Sequence, residues 1–182
     1  MKRIPLIVGI ISLVSGAALL AQQTGSSAEQ ELKLAVYVGQ WTYEGEYSPS
    51  FSATAGKVTG EATGAMILGG HFLEWQMIER GPGGETRGLE ILGYDPVNKN
   101  YPSRVFGDDG SMITGVYALE KNVSRFTAKM IAGGKEQLIR ITEVFEADLM
   151  SFRQKAEISD DGHTWAPMFE GRFIRIGRRE LP

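Results

Sequence analysis

A long series of short segments with alternating apolar and polar residues most constrains the fold of this chain. From Trp41 onward the runs are as long as ordinary strands, and clusters of Gly, Pro, Asp and Asn separate them. Alternation is typical of half-buried strands, and such clusters favour tight reversals. We predict strands near residues 41–47, 57–67, 71–80, 86–94, 100–106, 111–119, 123–131, 136–146, 149–159 and 164–176.

Successive strands with short turns between them are expected to pair as antiparallel hairpins. A meander of this length leaves two unpaired edges unless it closes on itself. The sequence therefore predicts an all-β fold, an antiparallel up-and-down barrel of about eight to ten strands.

The alternation also assigns faces to several strands. In the first strand, Trp41, Tyr43 and Tyr47 are predicted to point inward, away from the glutamates between them. In the ninth strand, Phe152 and Gln154 share a face, and in the tenth Trp165 is predicted to share a face with Phe169. Strands three, four and six are apolar on both faces, so their orientation stays open.

The N-terminus has the order of a secretory signal peptide. Lys2 and Arg3 precede an apolar run over 4–21, and a polar stretch follows at once. Cleavage after Ala21 or Ala28 would leave a single domain over 29–182 and a periplasmic or secreted protein with no stable membrane anchor. An uncleaved N-terminal anchor is the alternative. After the signal, residues 29–38 are predicted to form one short helix that Gly39 ends.

Charge and cysteine content exclude some classes. Cleavage after Ala28 leaves 17 basic and 22 acidic residues, a balance that argues against nucleic acid as a partner. The chain has no cysteine, which excludes disulfides and a lipid-modified cysteine. Oligomeric state is not determined by these features.

The residue types needed for metal or acid–base chemistry are sparse. His71 and His163 are the only histidines and have no metal-ligand spacing, so no metal site is predicted. No cofactor is predicted either, although haem held by His71 is kept as a remote alternative. Glu74 and Glu143 are the acids embedded in apolar strands. An enzyme would need one of them buried beside an arginine or a tyrosine, for instance beside Arg104 or Arg140.

One short motif predicts a structural turn. Asp160-x-Gly162-x-Thr164-Trp165 matches the core of an Asp box, a β-hairpin turn in which the aspartate caps backbone amides and the tryptophan packs beneath it. Asp160, Gly162 and Trp165 are therefore assigned structural roles.

A neutral amide in an apolar wall gives the one candidate binding site. If its face is inward, Gln154 needs a polar partner, since an unpaired buried amide is costly. We predict that Gln154 orients the polar end of a ligand, with Trp75 and Phe152 as apolar lining. The alternative is a hydrogen bond from Gln154 to Thr142 or Glu143 on the preceding strand.

Several motifs in order resemble the bacterial domain-of-unknown-function family 1579. They are Leu34-x-x-x-Val38-Gly39-x-Trp41, the segment ILGGHFLEW over 67–75, and Gly88-Leu89-x-x-Leu92-Gly93-Tyr94-Asp95-x-x-x-Lys99-x-Tyr101. Members often carry arginine in place of His71. The family is similar to the calycins, the lipocalin and fatty-acid-binding-protein class of barrels. The resemblance implies that Trp41 plugs the closed end, and it implies no established activity.

These features lead to three functional hypotheses. The first is a binding module for a small apolar or amphipathic ligand, since a barrel of this size can enclose one. The alternatives are a small barrel enzyme that uses a buried carboxylate, and a structural or interaction protein with a solid barrel.

Overall fold

The computed structural model describes residues 27–49, 55–132 and 135–177 as one closed barrel of ten antiparallel strands. Each strand pairs with the next along the chain, and the first pairs with the last. The strands are β1 (Gly39–Tyr47), β2 (Gly56–Ile67), β3 (Phe72–Gly81), β4 (Gly84–Gly93), β5 (Tyr101–Gly107), β6 (Met112–Glu120), β7 (Val123–Ala132), β8 (Lys135–Phe145), β9 (Ser151–Ser159) and β10 (Ala166–Gly177).

The all-β class, the antiparallel barrel and the single N-terminal helix are confirmed. Closure follows from the sequence pattern, because β1 and β10 each present a full-length edge. They pair along most of their length, from Trp41 opposite Arg175 to Tyr47 opposite Phe169.

The N-terminal helix covers one end of the barrel. It is α-helical over 27–32 and continues as a 3₁₀ helix over Lys33–Tyr37. Leu34 and Tyr37 are buried, and Gly39 turns the chain into β1 with a φ of 133°, which favours glycine.

Trp41 lies beneath this helix and is 1% exposed. Its indole Nε1 donates a hydrogen bond of 2.9 Å to the carbonyl oxygen of Tyr37. The guanidinium carbon of Arg175 lies 4.5 Å from the centre of the Trp41 ring, and Arg175 also donates to the Val36 carbonyl. Helix, first strand and last strand therefore meet at one aromatic side chain.

A bulge in β10 contradicts one predicted face. The pairing of Pro167 with Glu157 is followed by that of Phe169 with Ala156, so β10 carries one extra residue there. The extra residue inverts the alternation, and Trp165 lies on the outer side, 4.2 Å from the guanidinium carbon of Arg140. Phe169 points inward and is buried.

The predicted signal peptide, apart from its last two residues, lies outside the described residues. In the described ranges, no helix is long and apolar enough to cross a membrane. Residues 27 and 28, which precede the second proposed cleavage site, lie in the first turn of the N-terminal helix.

Candidate functional site

The barrel encloses a cavity of about 190 Å³. Every strand except β2 contributes side chains to its wall, and Tyr37 of the N-terminal helix covers one end. Most of the wall is apolar, and the apolar residues that line it include Leu73, Trp75, Leu92, Phe126, Ile139 and Phe152. Strand alternation produces this lining, because each strand sends every second side chain inward.

Glu143 of β8 is an inward carboxyl near the helix-covered end, and it is 4% exposed. Gln154, directly opposite on β9, donates its amide N–H to Oε1 over 2.9 Å. The Tyr37 hydroxyl donates to Oε2. Burial raises the pKa of Glu143, while the hydrogen bonds from Tyr37 and Gln154 act in the opposite direction.

Glu90 of β4 is a second inward carboxyl and is 7% exposed. Ser103 of β5 donates its hydroxyl to Oε1, and the Tyr117 hydroxyl of β6 donates to Oε2 over 3.3 Å. Burial raises the pKa of Glu90 to about 7, and the charge of Glu143 adds to that rise. The negative charge of Glu143 therefore acts on Glu90 inside the barrel.

A third inward carboxyl, Glu79 of β3, lies toward the opposite end of the barrel. Its Oε2 accepts hydrogen bonds from the hydroxyls of Tyr43 at 3.1 Å and Tyr47 at 3.5 Å. Partial burial raises its pKa as well. The cavity thus has carboxyls toward both ends and an apolar middle.

No positively charged side chain balances these three acids among the described residues that line the cavity. The ion pairs found in the same ranges lie elsewhere, such as that between Arg140 and Glu157 on the outer face. Tyrosine, serine and glutamine, all neutral donors, make the hydrogen bonds to the cavity acids.

All three predicted ligand-binding residues, Trp75, Phe152 and Gln154, line the cavity. The amide nitrogen of Gln154 is engaged by Glu143, which is the alternative that the sequence left open. A ligand's polar end would therefore meet a Gln154–Glu143 pair rather than a lone amide.

The pairs of acid and arginine considered for an enzyme do not form, although Glu143 is buried beside a tyrosine, Tyr37. Glu74 lies on the outer face between Leu73 and Trp75, where Gln76 donates to it over 2.8 Å. Arg104 and Arg140 also point outward, on the opposite face from their inward neighbours Ser103 and Ile139. Of the four residues considered, only Glu143 reaches the cavity.

Glu90 was missed from the sequence, because β4 is apolar on both faces in the stretch that contains it. The usable signal is its pairing with Trp75, which the structure places directly opposite. A hairpin register fixed at the turn Pro82-Gly83 would have placed Glu90 and Trp75 on the same side.

His71 lies outside the cavity, with a side chain 63% exposed and its Nδ1 3.1 Å from Glu31 Oε1. A haem held by His71 would therefore sit outside the barrel. Across the described ranges, no three His, Cys, Asp or Glu side chains are grouped so that they could hold a metal ion.

The Asp-box turn needs a correction. The carboxylate that accepts backbone amides is Asp161, whose Oδ1 lies 2.7 Å from the nitrogens of both His163 and Thr164. Asp160 instead accepts a hydrogen bond from the Gln137 side chain over 2.7 Å. Gly162 has a φ of 74°, which favours glycine.

Comparison with known proteins identifies a family model and a solved structure. The model described as "Protein of unknown function (DUF1579)" matches residues 27–175. The crystal structure of Rv2717c from M. tuberculosis is similar with a TM-score of 0.56 and 14% identity, over 79% of this chain and 95% of that one. At that identity the likeness concerns the fold alone. No curated protein matches the chain.

Proposed function

This chain belongs to the DUF1579 family of proteins of unknown function, and we propose that it is a binding module that holds one small apolar or amphipathic molecule inside its barrel. The observation that carries the proposal is the cavity of about 190 Å³ with its mainly apolar wall. Ligand sites are commonly concave and apolar, with a few polar groups that fix orientation. Glu143, Gln154 and Glu90 would supply those groups here.

The size of the cavity limits the ligand. A cavity of about 150 Å³ holds one benzene molecule, so the barrel has room for about one ring with a short substituent. A long acyl chain would need side chains to move. Ethylbenzene and 2-phenylethanol are suitable neutral probes.

Tryptophan fluorescence provides the test. Trp75 lines the cavity and Trp41 lies 6.1 Å from it between ring centres, whereas Trp165 is on the outer face. In a Trp165→Phe background, titration with ethylbenzene or 2-phenylethanol should give a saturable change in emission, and both probes should raise Tm.

A matched pair of variants locates the site. Ala156 lines the cavity, so Ala156→Leu fills part of it and should weaken binding. Ala118 is exposed on the outer face, so Ala118→Leu adds the same atoms outside and should leave binding unchanged. Equal effects of the two variants, or no saturable binding of either probe by the wild-type barrel, would reject the proposal.

We also propose that the protein acts in the periplasm or after secretion. The basic, apolar and polar order of its first 28 residues supports this. N-terminal sequencing of the protein from its host should give a chain that starts at Gln22 or Glu29.

A further inference from the structure

We propose that the ligand is a small organic cation, a protonated amine carried by an apolar group of about one ring. The inference rests on the proposed function and narrows its ligand class. It starts from the imbalance of charge inside the barrel, where Glu79, Glu90 and Glu143 point inward and the described lining contains no Lys, Arg or His.

The positive charge of such a ligand would be bound by the pair of buried carboxyls in the cavity, Glu90 and Glu143. Each of their four carboxyl oxygens already accepts one hydrogen bond from a neutral group. A buried carboxylate is costly unless an opposite charge accompanies it. A carboxylate pair has further acceptor sites beyond these bonds, so a ligand ammonium would add both the missing charge and the missing donors.

Ser124 is a buried neighbour of Glu143, and it lines the space beneath the N-terminal helix rather than the cavity. It is 1% exposed and pairs directly with Glu143 across β7 and β8. Its hydroxyl lies against Glu143 and Tyr37 but does not meet the geometry of a hydrogen bond with either. An ammonium has three N–H donors, and the carboxyl oxygens of Glu90 and Glu143 offer acceptors inside the cavity.

Aromatic rings favour the same ligand class. Tyr117 and Phe126 line the cavity, with ring centres 4.7 Å apart, and Trp75 lies directly opposite Glu90 in the sheet. Ring faces attract cations, most strongly when both are shielded from water. The same rings would hold the apolar part of the ligand.

The binding should depend on pH because the carboxyls must ionise. The groups that face the pair are Tyr37 from the N-terminal helix, Ser103 from β5, Tyr117 from β6, Ser124 from β7 and Gln154 from β9, with Glu79 of β3 toward the other end. Burial, more than any other cause, raises the pKa of Glu90 to about 7 and also raises those of Glu143, Tyr37 and Tyr117. Amine affinity should therefore rise between pH 5.5 and pH 8.

The test compares three probes of one shape. At pH 8, 2-phenylethylamine should bind about tenfold or more tightly than 2-phenylethanol, the effect of about one charge-assisted hydrogen bond. Phenylacetate should bind most weakly. The advantage of the amine should shrink at pH 5.5, while the affinity of the alcohol stays constant.

Isosteric variants test whether the preference for the amine over the alcohol depends on Glu90 and Glu143. Glu90→Gln and Glu143→Gln should each weaken amine binding by about tenfold and leave alcohol binding within a factor of about two. Glu74→Gln is the matched control on the outer face, and it should change neither affinity. If a variant fails to fold, the comparison of probes on the wild-type protein still decides.

The outcomes separate this inference from the proposed function. Equal affinity for amine and alcohol at pH 8, tighter binding of phenylacetate, or amine binding unaffected by both cavity variants would overturn the cationic ligand and leave a neutral-ligand barrel. Failure of every probe, including ethylbenzene, would overturn both.

Discussion

Two adjacent aspartates in the turn between β9 and β10 have different partners. Asp161 accepts hydrogen bonds from the backbone nitrogens of His163 and Thr164 and from the Ser159 hydroxyl. These backbone bonds lower its pKa to about 2. Asp160 is bound only by the Gln137 side chain among the hydrogen bonds of the described turn.

We expect Asp161→Ala to lower Tm by a few degrees, because two backbone amides lose their acceptor. Asp160→Ala, the matched control, should lower Tm less, and Asp161→Asn should retain most of the stability. Thermal unfolding at pH 7 measures all three. A larger effect at Asp160 would return the capping role to the residue that the motif predicts.

Single residues were predictable where alternation was clean. Trp41, Tyr43 and Tyr47 point inward because the glutamates between them leave only one apolar face. The inward position of Glu90 was not predictable, because Leu89 and Ile91 flank it and either face of β4 could have been the inner one. Gln154 was placed correctly on its strand, but its partner Glu143 depends on the register of β8 against β9.

At the level of elements, the close packing of the N-terminal helix against the barrel depends on a glycine, Gly64. A Cβ at Gly64 of β2 would collide with the backbone oxygen of Tyr37 and lie 3.0 Å from the Trp75 ring. The absence of a side chain thus lets the 3₁₀ segment approach β2, where the Tyr37 carbonyl receives the indole N–H of Trp41.

Gly64→Ala tests this attachment. Alanine in a strand gains about 0.5–1 kcal/mol over glycine, but overpacking against backbone costs about 1–3 kcal/mol, so we expect net destabilisation of about 1–2 kcal/mol. Amide hydrogen exchange should rise over residues 33–41. Thr63→Ala, its neighbour on the outer face, is the control, and unchanged exchange in Gly64→Ala would show that the helix does not depend on this contact.

The elements themselves follow closely from the sequence, and their irregularities do not. Turn clusters such as Gly81-Pro82-Gly83-Gly84 fixed most strand ends to within one or two residues. The bulge near Pro167 carries no comparable signal, because Met168 simply adds one residue to the pattern. That one residue is why Trp165 was assigned to the wrong face.

For the whole molecule, the cavity arises from the closure of all ten strands, and alternation predicts its apolar wall. Its charge could not be predicted. Glu79, Glu90 and Glu143 lie on three strands that are not neighbours apart from β3 and β4, and only closure brings them around one space. The interior acids should therefore affect stability as well as binding.

Stability should fall as pH rises from 5 to 8. The folded protein holds Glu90 with a pKa of about 7 rather than the usual 4.5, so it binds a proton that the unfolded chain releases, and the stabilisation is lost as pH rises through 7. The loss from Glu90 should be about 2–3 kcal/mol between pH 5 and pH 8, and the raised pKa of Glu143 adds to it in the same direction. Urea unfolding at four pH values measures this slope.

Variants of Glu90 and Glu74 separate the titration of Glu90 from other titrations. Glu90→Gln should flatten most of the profile and stabilise the protein at pH 8, because it removes the buried charge. Glu74→Gln on the outer face should leave the profile unchanged. Hydrogen bonds from backbone and side-chain groups lower the pKa values of Asp95, Asp109 and Asp161. These aspartates lose their contribution to stability only below about pH 4, outside this window. A wild-type profile that is level from pH 5 to 8 would mean that Glu90 ionises in the barrel as easily as in water. Saturating 2-phenylethylamine should restore stability at pH 8 if its ammonium accompanies the ionised pair.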